Sequence, residues 1–158
     1  MEIHGDEPRG EQFGLSPAFL FCFLILTNLL YLKRMVILID FVMMKTGFGW
    51  IEIGENRYEH DIIIHTDGAI SKRPKKRSRD LKPEYGHTPL SEEELDVVRT
   101  EHPEVVYIGT GQSGSLPLTP EAHELLRTYE TVMLPTPQLL SRLSREKRRH
   151  VAIIHVTC

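Results

Sequence analysis

Cysteine is nearly absent: Cys22 and Cys158 are the only two in 158 residues. They lie in very different contexts, which excludes a disulfide framework and favours a reducing compartment. The chain also lacks a strong charge of either sign. Its formal net charge is −3 with 26% charged residues, so nothing draws it globally to nucleic acid or anionic membrane. No internal repeat is present. No Gly-Lys-Ser/Thr follows the glycine-rich stretch at residues 109–114, which excludes a P-loop. Upstream of the one long apolar run stand Glu2, Asp6, Glu7 and Glu11 against Arg9, so the basic leader of a secretory signal is missing. What remains is room for one ordinary domain, with the 41% hydrophobic content of a globular protein.

The apolar run, residues 13–32, carries no charge and is followed by Lys33 and Arg34. It is long enough to cross a bilayer as a helix. Three readings compete: a transmembrane anchor whose trailing cations keep the following domain cytoplasmic, a buried or interfacial helix, and an over-extended start whose natural initiator is Met43 or Met44. Residues 1–46 are therefore expected to be a hydrophobic N-terminal extension and residues 47–158 the domain. The expected location is cytoplasmic, the alternative a membrane anchor with the domain facing the cytoplasm.

From Trp50 the pattern is regular. "WIEIG" and "RYEHDIIIHTDG" read as strands joined through Gly54, Glu55 and Asn56, and Asp67-Gly68 turns the chain into a third strand, "AISKR". This predicts an antiparallel β-meander. Pro74, Pro83 and Pro89 make the polar stretch that follows a long loop. Ser91 with Glu94 three residues on is a capping-box signature for a helix through about Glu101. "VVYIG" is a buried strand; Thr119-Pro120 starts a second helix, "TVML" is a strand, and Thr136-Pro137 starts a third helix whose last turn holds Lys147, Arg148 and Arg149. "VAIIHVT" is the final strand. The βαβαβ order of this half implies parallel neighbours, so the fold class is an α/β layered domain with the β-meander added at its front.

The stretch "GTGQSG" places Gly109, Gly111 and Gly114 in the order of a dinucleotide fingerprint. The context fails it twice. Pro117 and the Thr119 cap displace the helix from the glycines, and the next strand ends "MLPTP" without the acid that would bind a ribose. Ser113 sits in Gly-Gln-Ser-Gly-Ser, which is not a nucleophile elbow. The loop still occupies the carboxyl end of a parallel strand, where open α/β sheets hold ligands. His155 and Cys158, three apart in a strand, should face opposite sides and so not share a metal; no metal and no cofactor is expected. His60, His65, His87 and His102 read as scattered turn or surface residues. Lys72, Arg73, Lys75, Lys76, Arg77, Arg79 and Lys82 form a basic segment with Asp80 the lone acid. It reads as a solvated loop, a docking surface for an acidic partner, or a partner for the acidic helix face of Glu92, Glu93, Glu94, Asp96, Glu101 and Glu104. With no interleaved aromatic, nucleic acid is not the expected partner.

In order, "FGWIEIGENRYEHDIII", "DGAISKR", "GHTPLSEEEL", "PEVVYIGTGQSG" and "VAIIHVTC" resemble the Mth938-like domain family. That family includes an adipogenesis-associated Mth938 domain-containing protein, and a mitochondrial complex I assembly factor is a more distant relative. The resemblance covers about residues 47–158. It implies a single compact α/β domain with a mixed central sheet, and carries no established enzymatic activity, cofactor or catalytic residue. Gly86, His87, Thr88, Pro89, Gly109, Thr110, Gly111, Gly114, His155, Thr157 and Cys158 match its signatures; with Gln112 and Ser113 they form the candidate ligand or partner surface. The favoured expectation is a non-enzymatic interaction or assembly-type module, binding a protein partner or self-associating. The alternative is a small-molecule or nucleotide-binding enzyme using the loop at residues 109–114.

Overall fold

The structure is a computed structural model that describes residues 43–158. The apolar run at residues 13–32, and with it the anchor, buried-helix and start-site readings, lies outside the described residues. No helix among the described residues is long and apolar enough to cross a membrane.

Among the described residues, eight strands form two sheets. β1 (Met44–Gly47), β2 (Trp50–Ile53) and β3 (Asn56–Tyr58) make a three-stranded antiparallel sheet in that order. β4 (Ile62–Ile64), β5 (Ile70–Lys72), β6 (Val105–Thr110), β7 (Glu130–Leu134) and β8 (His150–His155) make a five-stranded mixed sheet ordered β5-β4-β8-β6-β7. β6 runs parallel to both β7 and β8, whereas β4 runs antiparallel to β8 and β5. Helices α1 (Lys82–Tyr85), α2 (Asp96–Glu101), α3 (Pro120–Leu126) and α4 (Thr136–Leu143) complete the fold. The βαβαβ half is therefore as its sequence predicts.

Alternation along the buried strands supplies two cores, one on each face of the large sheet. Val105 and Tyr107 of β6, Ala152 and Ile154 of β8, and Ile62 and Ile64 of β4 meet Leu139, Leu140 and Leu143 of α4 and Ile51 of β2. Val106, Ile108, Val151, Ile153 and Ile63 point the other way, onto Val98 of α2, Ala122 and Leu126 of α3, and the loop residues Leu90 and Leu116. Thr119 caps α3 as expected: its side-chain oxygen accepts the Ala122 amide at 3.2 Å.

Several expectations are corrected. The stretch "RYEHDIIIHTDG" is not one strand; it breaks at residues 59–61, so β3 stays with the small sheet and β4 joins the large one. At the break Asp61 is 3% exposed and accepts the Val156 amide of the distant chain end at 3.1 Å. The meander is therefore β1-β2-β3, with β1 the unforeseen strand and the β4-β5 hairpin separate from it. The supposed long loop contains a 3-10 helix, Lys75–Leu81, running into α1. Ser91 makes no side-chain cap; its hydroxyl meets Ser78 at 2.6 Å, while the Glu94 carboxylate turns to Arg73, and a 3-10 turn, Glu92–Glu94, precedes α2. Thr136 does not cap α4 either, because its hydroxyl donates to the His155 carbonyl at 2.6 Å. α4 stops at Leu143, short of Lys147, Arg148 and Arg149. Arg148 instead binds Glu130 and Glu146.

Candidate functional site

β8 ends at His155, and beyond it the regular strand geometry no longer applies; Cys158 has φ of 51°. The period-two expectation therefore fails at this point. The Cys158 sulfur comes back to within 2.9 Å of His155 Nε2, and Thr157 Oγ1 lies 3.1 Å from the same nitrogen. His87, from the turn after α1, brings its Nε2 to 3.6 Å from the sulfur and 3.1 Å from the Ser115 carbonyl. The two imidazoles are parallel to within 7° with centroids 6.0 Å apart. His87, His155 and Cys158 each offer a donor atom, all within 4.8 Å of one another. The expectation that His155 and Cys158 could not face one ion is thus overturned, as is the reading of His87 as an isolated turn residue. His65 is not isolated either: its ring bridges Glu101 (2.5 Å) and Ser71 (2.7 Å).

The glycine loop explains how this end is held. The Gln112 amide donates to the Thr157 oxygen at 3.2 Å and the Ser113 amide to the Cys158 oxygen at 2.7 Å. Gly111 donates to Thr136 Oγ1 at 3.1 Å, and Thr136 in turn donates to His155 O. A side chain at Gly111 would put its Cβ 2.2 Å from Thr157 O, and the residue has φ of 97°. At Gly109 the corresponding Cβ would sit 2.8 Å from Thr136 Oγ1. Two glycines of the apparent fingerprint therefore admit neighbouring chain, and the amides of residues 111–113 are already engaged. They leave no cradle for a pyrophosphate of the kind the fingerprint serves. Ser113 is exposed, and among the described residues its hydroxyl meets Ser115 Oγ at 3.5 Å and no basic side chain.

Behind His155 lies a buried ionic cluster that the sequence pattern does not reveal. Asp61 Oδ2 accepts from His155 Nδ1 at 2.6 Å, from Arg73 Nη1 at 3.1 Å and from Lys75 Nζ at 2.8 Å. Arg73 also donates to both oxygens of Glu94, at 2.7 and 2.9 Å, and to the Pro89 carbonyl at 2.6 Å. Ser78 donates to Glu94 as well. Burial would raise the Asp61 carboxyl, but the hydrogen bond and charge of His155, then those of Lys75, outweigh it and hold the acid well below the usual carboxylate range. Asp61 takes the Nδ1–H of His155 as its hydrogen bond, so Nε2 is the ring atom turned to the sulfur.

Two openings flank this cluster. One, of about 370 Å³, is bounded by His87, Thr88, His155, Thr157 and Cys158 together with Phe48, Lys75 and Lys82. The other, of about 830 Å³, is bounded by the basic segment from Lys72 to Arg79, with Glu59, His60 and Asp61 opposite. The basic segment is not a uniform patch. Arg73 is 2% exposed and consumed by Asp61 and Glu94, and Arg77 binds Asp96 at 2.7 Å. The acidic face after Ser91 does meet the basic segment within the domain. Lys72, Lys76 and Arg79 are exposed and make no ion pair among the described residues.

Of the sequence-predicted surface, His87, Thr88, His155, Thr157, Cys158 and residues 111–113 converge. Gly86 stands at the end of α1 with open space around its α-carbon, and Thr110 Oγ1 faces Gly114 rather than the opening. Asp61 and Phe48 went unnoticed in the sequence, and Glu94 was assigned to a helix cap and an acidic face, not to this cluster. The one available signal was an acid, Asp61, set directly before the apolar run "III".

No curated protein matches the chain. Among solved structures it is similar to a conserved hypothetical protein, PH1505, from Pyrococcus horikoshii OT3: 36% identity over 73% of this chain and 99% of that one, with a TM-score of 0.65. It is also similar to a protein called MT938, at 33% identity over 74% and 99% of the two chains, TM-score 0.60. A Bordetella parapertussis protein at 23% identity, covering 73% and 93%, TM-score 0.52, shares the fold. The sequence model described as "Protein of unknown function (DUF498/DUF598)" matches residues 43–155. The chain belongs to the DUF498/DUF598 family, and its fold is Mth938-like.

Proposed function

We propose that the domain is a non-enzymatic interaction module that docks an acidic segment of a protein partner along the cleft at residues 72–79. The observation that carries this reading is the charge lining that cleft. Six cationic side chains, Lys72, Arg73, Lys75, Lys76, Arg77 and Arg79, face Glu59 and Asp61, and the Asp61 charge is consumed internally. Arg73 and Asp61 form a rigid neutralised floor. Lys72, Lys76 and Arg79 stand on it without intramolecular partners among the described residues and supply the attraction. Among the described residues no Phe, Tyr or Trp lines the cleft and His60 supplies its ring, a small platform for base stacking, which favours an acidic peptide over a nucleic acid.

The test uses a fluorescent hexaglutamate peptide and the full chain, with anisotropy read at low and physiological salt. Binding that weakens with salt, and that falls by about tenfold or more in Lys76→Glu/Arg79→Glu, supports the reading. Binding unchanged by the double reversal contradicts it. Tighter capture of a single-stranded oligonucleotide than of the peptide would replace it with a nucleic-acid role.

A further inference from the structure

We propose that His87, His155 and Cys158 form a binding site for a borderline-soft divalent cation with the ligand preferences of zinc, its fourth position open to the 370 Å³ pocket beside Phe48 and Thr88. Two imidazole nitrogens and a thiolate sulfur are the donors such ions prefer, and they discriminate against calcium and magnesium, which take oxygens. Zinc–sulfur and zinc–nitrogen bonds of ordinary length at a tetrahedral angle set sulfur and nitrogen about 3.5 Å apart. The Cys158–His87 separation is 3.6 Å, so that edge already fits. The Cys158–His155 separation of 2.9 Å is a closer thiol–imidazole contact than such an edge takes. It opens by about 0.6 Å when the thiol proton leaves to solvent and the ion takes its place.

The surroundings supply what a metal-binding histidine needs. Asp61 holds His155 by Nδ1, which fixes the ring's orientation and directs the Nε2 lone pair at the site. Asp61 is itself locked by Arg73, Lys75 and the Val156 amide. The sulfur is delivered by the Ser113 amide, which holds the Cys158 oxygen. His87 is the mobile ligand. Its Nε2 hydrogen-bonds the Ser115 carbonyl without an ion and exchanges that contact for the cation. Lys75 and Lys82 rim an opening whose walls include Phe48, Thr88 and Thr157, and the fourth ligand there is water or a small anion.

The full chain, stripped with a chelator, is titrated with Zn(II) by calorimetry and with Co(II) by absorbance. One equivalent is expected, with the intense visible bands of tetrahedral Co(II) and a sulfur-to-cobalt charge-transfer band. Cys158→Ser should remove the charge-transfer band, whereas Cys22→Ser, which deletes the other cysteine, should leave it. His87→Asn should keep the band and weaken Zn(II) at least about tenfold, a loss no smaller than that seen when a supporting partner alone is removed. His102→Asn should bind as the unaltered chain does. Each variant is checked by thermal melting without metal, and because His87 and Cys158 are only half-buried, neither substitution disturbs the core. Absence of a charge-transfer band in the unaltered chain, or its persistence in Cys158→Ser, would overturn the site. So would undiminished Zn(II) binding by His87→Asn.

Discussion

Gly111→Ala isolates the reason for the glycine loop. The native φ of 97° strains any L-residue, at a cost of about 1–3 kcal/mol. The added Cβ would also stand 2.2 Å from Thr157 O and 2.6 Å from Cys158 O, both main-chain atoms that cannot swing aside. Relief requires the chain end to move off the loop, which breaks the Gln112-to-Thr157 and Ser113-to-Cys158 hydrogen bonds, worth about 1 kcal/mol net each. The sum is about 3–5 kcal/mol. Gly86→Ala is the matched control: its φ is 79°, but nothing lies within 4 Å of the new Cβ, so only the strain applies. Urea denaturation monitored at Trp50 reads both, through the shift in midpoint at unchanged slope. The prediction is that Gly111→Ala costs about 2 kcal/mol more than Gly86→Ala. Equal costs would refute the claim that this glycine is there for the chain end and not for the turn alone.

Arg73→Met leaves Glu94 buried without its cation and takes one cation from Asp61, which keeps Lys75. It should cost about 3–5 kcal/mol in the same assay, and a loss below about 1 kcal/mol, the range of exposed pairs, would show the cluster to be open to water. Tyr107 is pushed up to about 12, by burial first and then by its hydrogen bond and charge contact with Glu146. A phenol whose folded value lies above its unfolded value of about 10 contributes stability that is complete below pH 10 and lost as pH rises through 12. Difference absorbance of the phenolate between the unaltered chain and Tyr107→Phe should therefore show the missing tyrosine ionising last; ionisation alongside the other tyrosines would contradict this.

The legible and illegible parts of this fold divide by range. "VVYIG", "VAIIHV" and Thr119-Pro120 carry their structure locally, as continuous apolar strands and a helix start, so the parallel half could be read directly. The break at Asp61 could not, because its cause is the Val156 amide and the side chains of His155 and Arg73, brought there by folding. The capping box failed for the same reason: Glu94 matches the motif, yet Arg73, 21 residues away, takes its carboxylate. At the candidate site, His155 and Cys158 were singled out but assigned to opposite faces, since a strand's periodicity was extended past its end. His87 lies 71 residues from Cys158, a separation at which spacing carries no information. The glycine motif was read against a dinucleotide role from its context alone, while its partner, the Thr157 and Cys158 backbone, becomes visible only in three dimensions.

The central structural claim is that the glycine loop is occupied by the chain's own Thr157 and Cys158 and thereby sets Cys158 against His155. Residue-resolved amide hydrogen exchange on the full chain tests it most directly. The Gln112 and Ser113 amides are expected to be protected to the level of the β6 strand, despite the exposure of Ser113, and Gly111→Ala to remove that protection while β6 stays closed. Gln112 and Ser113 amides that exchange at open-loop rates in the unaltered chain would contradict it.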